Sequence, residues 1–259
     1  AVADNRDGGG LFDLLSDSLL AAHLPAPYTA EKIYYGVAPY PITSPTSTGI
    51  ALTKSAVLAG INSGKLLVNY IGHASKAEWA TEKLFGVLDV PGLTNGYKQP
   101  IILAMACSDG YYQMPYTSQY FATAEVVTRA DGKGAVASWS PTGLGVASGH
   151  DRLNRGFFDA LLTDGVETLG EATYAGKIEL WASGSNYDLL DTFLLFGDPA
   201  LRVNRVPPLT VSGNITDPLD APFPGVQVST LLANGLTRTE EEQGERKRDA
   251  DALLHLPRV

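Results

Sequence analysis

The sequence is short of cysteine, of basic residues and of long apolar runs, and each shortage excludes a class of protein. One cysteine among 259 residues rules out a disulfide framework within the chain, so the fold must depend on a packed core. Only 19 Lys and Arg stand against 28 Asp and Glu, which gives a formal net charge of −9. Because no basic surface can neutralise phosphates, we expect no nucleic-acid partner.

No uninterrupted apolar run approaches the roughly 20 residues that a membrane helix needs, so we expect no membrane insertion in this segment. The opening residues AVADNRDGGG have neither a basic start nor an apolar segment, so no signal peptide is visible. We interpret them as the start of a fragment that is incomplete at its N-terminus. No His/Cys cluster, P-loop or dinucleotide motif occurs, so the sequence itself predicts neither a metal site nor a cofactor.

What the sequence does contain is an alternation of strand-like and helix-like segments. The nearly continuous apolar runs KLLVNYIG (65–72), PIILAMAC (100–107) and GKGAVASWS (132–140) are typical of buried parallel strands. Helical apolar spacing marks several segments around them: 11–22, 50–62, 119–130, 150–163 and 166–182. This alternation predicts an α/β fold with a mostly parallel sheet.

The character of the chain changes at Pro207-Pro208, which suggests a domain boundary. We predict one α/β domain over residues 1–205. Residues 206–234 alternate apolar and polar side chains around Pro and Gly, like the start of a small, truncated β-sandwich. The charge-dense residues 235–259 are predicted to be a solvated tail.

A histidine and the only cysteine follow two neighbouring strand-like runs. His73 comes directly after the run 65–72, and Cys107 ends the run 100–107. Since active sites of parallel sheets gather at the carboxyl ends of the strands, the two side chains could meet there, with His73 drawing the proton from the thiol. From spacing alone this pairing is a weak signal, and the alternative is that Cys107 is a buried thiol at a strand end and His73 a histidine in a turn.

The exact residues around this pair resemble the gingipain family of cysteine peptidases. LVNYIGHASKAEW (67–79) and ILAMACSDGYY (102–112) are similar to its two active-site motifs, roughly NYxGHGSxxxW and AC-x-x-G. Three further segments match in order: VADNRDGGGLFD (2–13), AEVVTRADGKGAVASWSPTG (124–143) and LLDTFLLFGDPALRV (189–203). The resemblance covers residues 2–205 and implies a caspase-like three-layer α/β/α sandwich.

The resemblance also implies roles for individual residues. Cys107 matches the nucleophile and His73 the general base and acid. The backbone N–H groups of Ala74, which replaces the family's glycine, and of Cys107 would form the oxyanion hole. A carboxylate near the chain start orients the histidine in this family, and Asp4 is the first choice here, with Asp7 second.

Four further residues are predicted to bind substrate: Trp79, Asp109, Ser138 and Trp139. For Trp79 a packing role beside the site is the alternative, and for Asp109 a solvated turn carboxylate. Relatives that cleave after Arg hold an acid in the primary pocket, where gapless counting places Gly9 and a shift of one or two residues would place Asp7. The Trp that lines this pocket is also absent from SPTGLGVASG (140–149), so a preference for Arg or Lys does not carry over. His150 is interpreted as a residue near a helix N-terminus.

The resemblance therefore predicts a cysteine-type endopeptidase that acts on polypeptides through an acyl-enzyme on Cys107. A sortase-like transpeptidase with the same intermediate and a non-catalytic module of a large exported protein are the alternatives. The resemblance also implies a secreted or cell-surface location. It allows a structural calcium ion, for which the sequence has no evident site.

Overall fold

A computed structural model describes residues 1–42, 48–114 and 121–205 with their side chains, and the backbone of four later strands. The chain separates into two compact units, residues 1–203 and 204–259. In the first unit the helices and strands are, in chain order, β1 (Val2–Ala3), α1 (Phe12–His23), β2 (Ile33–Tyr34), α2 (Thr48–Ser63), β3 (Leu67–Ile71), β4 (Glu78–Trp79), β5 (Phe85–Gly86), β6 (Ile101–Met105), α3 (Thr123–Arg129), β7 (Ala137–Pro141), α4 (Ala147–Leu162), α5 (Leu169–Ala182), α6 (Asp188–Thr192) and β8 (Phe193–Phe196).

Six of these strands form one sheet in the order β2-β1-β3-β6-β7-β8, and β4 and β5 form a separate hairpin. Neighbouring strands of the sheet are parallel except for β8, which runs antiparallel to β7. The α/β class and the mostly parallel sheet are thus confirmed. None of the helices in the described part of the chain is long and apolar enough to cross a membrane.

The sheet has a hydrophobic layer on each face because successive strand residues point to opposite sides. On β6, Ile101, Leu103 and Met105 pack with α1, α4 and α5, whereas Ile102 packs with α2 and α3. This gives the three-layer α/β/α sandwich that was predicted. Helices α1 and α4 follow β1 and β7, so both begin at the carboxyl edge of the sheet.

The third predicted strand of the first unit is shorter than the apolar run suggested. The strand predicted over 132–140 begins only at Ala137, because Gly132 and Gly134 adopt positive φ angles of 64° and 87° in a turn. The apolar segment 189–203 contains α6 and then β8, the antiparallel strand that closes the sheet.

The second unit contains four described strands: β9 (Leu209–Gly213), β10 (Val228–Leu231), β11 (Thr237–Glu240) and β12 (Ala252–Leu256). They pair antiparallel as β9 with β12 and as β10 with β11. Two strands therefore lie in the range predicted to be a solvated tail, because the apolar run ALLHL can pair with LTVSG despite the charged residues between them. The rest of the predicted sandwich start and tail lies outside the described residues.

Candidate active site

The two residues at the centre of the site lie at equivalent positions on neighbouring strands. β3 and β6 are parallel, and Ile71 lies opposite Met105 in their register. His73 and Cys107 each follow two residues later, at the carboxyl edge. The predicted parallel pairing of these strands is confirmed, and the sheet brings both residues to one edge.

Three hydrogen bonds hold the main chain of His73. Its N–H donates to Asp4 Oδ2 over 3.1 Å. Its carbonyl accepts from the Tyr70 hydroxyl and from the N–H of Ala80 at 2.8 Å. Tyr70 is itself buried in a parallel stack on Trp79, with ring centroids 4.4 Å apart. The histidine is therefore mounted on a rigid support, although its side chain is 49% exposed.

The imidazole ring is placed by the turn between β1 and α1. Its Nε2 lies 3.0 Å from Asp7 Oδ2, and Phe12 meets the ring edge-on at a centroid distance of 5.2 Å. The other oxygen of Asp7 accepts from the N–H of Gly9 at 2.7 Å. The hydrogen bond from Gly9 is the main cause that lowers the pKa of Asp7 below its ordinary value, and the contact with His73 lowers it further. Partial burial of the carboxylate opposes both effects. A charged carboxylate thus faces Nε2 and leaves Nδ1 for proton exchange.

The orienting carboxylate predicted first, Asp4, contacts the main chain of His73 and not its ring. Asp4 continues the β1–β3 ladder, and its two oxygens accept from the N–H groups of Asn5 and His73. Burial raises its pKa to about 6, although these two bonds oppose the rise. The acid beside the ring is Asp7, because the turn that begins there folds back over His73.

The sulfur of Cys107 lies against a glycine before α4. Sγ is 3.4 Å from the amide nitrogen of Gly145 and 3.5 Å from its carbonyl oxygen. Among the described residues no hydrogen bond joins Sγ to the imidazole, as is common for catalytic pairs without substrate.

Backbone N–H groups for an oxyanion are present at both predicted positions. Ala74 and Trp79 form a non-hydrogen-bonded antiparallel pair. The hydrogen bonds run between the flanking residues, from the N–H of Ala80 to the carbonyl of His73 and from the N–H of Ser75 to the carbonyl of Glu78. The N–H of Ala74 therefore points away from the hairpin. Within the described part of the chain, neither this N–H nor that of Cys107 has a hydrogen-bond acceptor. Both are available to a substrate oxygen.

The four residues predicted to bind substrate are all in the interior, so that prediction is wrong as a statement of direct contact. Trp79, Ser138 and Trp139 are 0% exposed and Asp109 is 1% exposed. Asp109 accepts from Trp79 Nε1 at 2.8 Å and from Ser140 Oγ at 2.9 Å, and Ser138 lies 2.8 Å from Ser140. Trp139 packs on the other face of the sheet, because side chains of β7 alternate. Asp109 is a buried anchor two residues after Cys107 and not a solvated turn residue.

Three residues that approach the pair closely were not predicted to do so by the sequence interpretation, and two of them are glycines. A Cβ at Gly9 would lie 2.6 Å from His73 Cε1, and one at Gly145 would lie 2.3 Å from Nε2 of His150. Phe12 is the third. Runs such as GGGLF and GLGV hint at close backbone approach, but they do not say to which residue. His150 lies in the first turn of α4, as predicted, and is 4% exposed.

Comparison with known proteins shows the family to which the chain belongs. Residues 1–204 match the model of peptidase family C25. The chain belongs to peptidase family C25. It is 29% identical over 208 residues to gingipain R1 of Porphyromonas gingivalis, which covers 71% of this chain and 20% of the relative. Gingipain R2 of the same organism is 30% identical over 184 residues, covering 64% of this chain and 24% of the relative.

Solved structures show that this C25 chain shares the fold of the gingipains. A crystal structure described as the Arg-specific cysteine proteinase gingipain R superposes with a TM-score of 0.62 at 24% identity, over 83% of this chain and 50% of that one. A structure described as a protease superposes with a TM-score of 0.59 at 16% identity. The chain spans about a fifth of the length of the first curated relatives it matches.

The C25 chain has no group of three or more His, Cys, Asp or Glu residues that could hold a metal ion in its described part. No step of the chemistry proposed below is assigned to a metal.

Replacing Gly9 by Ala should reduce peptide cleavage about a hundredfold without unfolding the protein. The new Cβ would lie 2.6 and 2.7 Å from two ring atoms of His73, so the half-exposed ring must move. Gly8→Ala is the matched control, since nothing lies within 4 Å of a Cβ there. We would compare kcat and the thermal midpoint of both variants. Equal activity of the two would show that the ring position does not matter.

Asp7→Asn and Asp4→Asn should have separable effects. The first removes the charge that faces the imidazole, so kcat should fall by roughly 10- to 100-fold with little change in KM. The second leaves one backbone N–H without a carboxylate acceptor but also removes a carboxyl group whose pKa burial raises to about 6, so kcat should change less, and the stability relative to the parent should rise between pH 4 and 7.5. Steady-state kinetics and urea denaturation give the two readouts. A larger loss of kcat in Asp4→Asn would restore Asp4 as the orienting acid.

Asp109→Asn should make folding less sensitive to pH. Burial raises the pKa of Asp109 from 3.8 to about 6, despite its bonds with Ser140 and Trp79. The folded state therefore holds this proton more tightly than the unfolded state. Its contribution to stability is full below about pH 4 and is lost as pH rises through 6. An asparagine can keep both partners. Relative to the parent, the variant should gain about 2–3 kcal/mol between pH 4 and 7.5 in denaturant titrations. A constant difference would contradict this.

Proposed function

We propose that this chain carries a cysteine peptidase site in which Cys107 attacks a peptide carbonyl and His73 moves the protons. The observation that carries the proposal is the placement of both residues two positions beyond paired residues of β3 and β6, with Asp7 on the ring. Nucleophile, base and orienting carboxylate are the parts that such chemistry needs.

Acylation follows from this arrangement. With Nε2 facing Asp7, His73 takes the thiol proton on Nδ1, and the thiolate attacks the carbonyl carbon. The negative charge that develops on the carbonyl oxygen is stabilised by the N–H groups of Ala74 and Cys107. The imidazolium then gives its proton to the leaving amine, and the C–N bond breaks.

Deacylation returns the enzyme to its starting state. Neutral His73 takes a proton from water as the water oxygen attacks the thioester carbonyl, and the C–S bond then breaks to release the acid product and the thiolate. The imidazolium returns its proton to the thiolate. An amine in place of water would give transpeptidation through the same intermediate. Hydrolysis is the proposed reaction because the half-exposed ring of His73 is open to water. A polypeptide substrate and a secreted or cell-surface location belong to this proposal.

The test is labelling of the chain by a peptidyl acyloxymethyl ketone, followed by mass spectrometry. One equivalent should attach to Cys107. The labelling rate relative to free cysteine should be much higher for this ketone than for iodoacetamide, and His73→Ala should slow the labelling. Incubation of a cleavable peptide with added glycine amide then separates hydrolysis from transfer by the product. Labelling no faster than that of free cysteine would support a non-catalytic module instead.

A further inference from the structure

We infer that the surface beside Cys107 accepts an apolar, uncharged side chain of the substrate. This side chain belongs to the residue whose carbonyl carbon becomes bonded to Sγ. This inference rests on the proposed function and names its substrate class. The surface consists of Leu11, Leu144 and Val146, which we call the specificity surface. Its three side chains are 52%, 77% and 52% exposed.

Two of these side chains project from the segment that contacts the nucleophile. Gly145 touches Sγ through its N–H and its carbonyl oxygen. A Cβ on this glycine would point inward, 2.3 Å from His150 Nε2 and 2.9 Å from Leu189 Cδ2. Val146 is extended, with φ −127° and ψ 147°. Since neighbouring side chains of an extended segment point to opposite sides, Leu144 and Val146 face outward beside the sulfur.

Leu11 reaches the same edge from the side of His73. It is the N-cap of α1, whose first residue, Phe12, meets the imidazole. One small interior gap directly beneath the site is lined by seven residues: Leu15, Ile71, Met105, Ala147, His150, Asp151 and Asn154. Leu11 lies one helical turn before Leu15, and Val146 lies one residue before Ala147. His73 lies two residues beyond Ile71, and Cys107 lies two residues beyond Met105. The specificity surface and the catalytic pair therefore lie together above this gap.

The charges around the site disfavour a basic substrate side chain. Residues 140–149 have no ionisable side chain. Asp7 is held by Gly9 and His73, Asp4 is buried on two backbone N–H groups, and Asp109 is buried on Trp79 and Ser140. Asp151, which lines the gap, is paired with Arg155 at 2.7 Å. An Arg or Lys placed over Leu144 and Val146 would lose its hydration without gaining a free carboxylate there. An acid at position 9 would require the imidazole to move, because its Cβ would lie 2.6 Å from the ring.

The experiment compares two peptidyl acyloxymethyl ketones that differ only in this residue, Leu or Arg, on the full chain. The Leu probe should label Cys107 at least about tenfold faster. Equal rates or a faster Arg probe would overturn the inference while leaving the proposed function intact. Failure of both probes to label Cys107 faster than free cysteine would overturn the proposed function, and this inference with it.

Two variants test whether the specificity surface itself is responsible. Leu144→Asp and Val146→Asp should each slow the Leu probe about tenfold and speed the Arg probe. Val146 is the N-cap of α4, where Asp is a favoured residue, so that variant should keep its fold. Ile178→Asp on α5 is the matched control, since Ile178 is 51% exposed, and its probe rates should equal those of the parent. If all three variants behave alike, the surface does not select the substrate.

Discussion

Replacing Cys107 by Ala is expected to abolish peptide cleavage, with a loss of at least about 10³-fold in kcat. The chain has no other cysteine, so no second thiol can take over. The fold should survive, because the polar contacts of the side chain in the described structure are the two weak ones with Gly145. The change in unfolding free energy should stay below about 1 kcal/mol.

The measurement is cleavage of a quenched fluorescent peptide, with circular dichroism as the check on folding. Cys107→Ser is the companion variant, because it keeps a small polar side chain but offers a hydroxyl that His73 activates poorly. It should be as inactive as Cys107→Ala. If either variant retains more than a tenth of the parent activity, Cys107 is not the nucleophile.

Replacing His73 by Ala is expected to reduce cleavage nearly as much and to slow alkylation of Cys107 at neutral pH. Without the imidazole to take the proton, less of the thiol is present as the reactive thiolate at neutral pH. The Cys107→Ala, His73→Ala double variant should be hardly worse than either single one, since the two residues act as a unit.

The decisive measurement is the rate of iodoacetamide alkylation against pH in the parent and in His73→Ala. His23→Ala is the matched control, because His23 also pairs with a carboxylate, Asp159 at 2.6 Å, but at the C-terminal end of α1. Its curve should coincide with that of the parent. If the parent and His73→Ala curves coincide as well, the histidine does not activate the thiol.

Much of the scaffold could be predicted from local patterns. The apolar runs that became β3 and β6 are long enough, and punctuated clearly enough, to predict parallel strands. His73 and Cys107 follow those runs directly, so their arrival at one edge needed no further information. The motif resemblance added the family, which the comparisons confirm.

The immediate surroundings of the pair could not be predicted in this way. The choice between Asp4 and Asp7 depended on how the turn after β1 folds back over a ring 66 residues away. Trp79 and Asp109 look like polar and aromatic residues of a cleft, yet together with Ser140 they satisfy one another in the core. Gly145 meets the sulfur across 38 residues of chain.

What the sequence determined by itself is therefore the alternation of strands and helices and the two residues at the strand ends. Those features follow from side-chain periodicity and strand-end turns, which act over a few residues. Which acid faces the imidazole, which polar groups are buried and which surface flanks the sulfur were decided only by the tertiary structure. These are contacts between distant segments, set by how the N-termini of α1 and α4 pack above the sheet edge, and no local pattern specifies them.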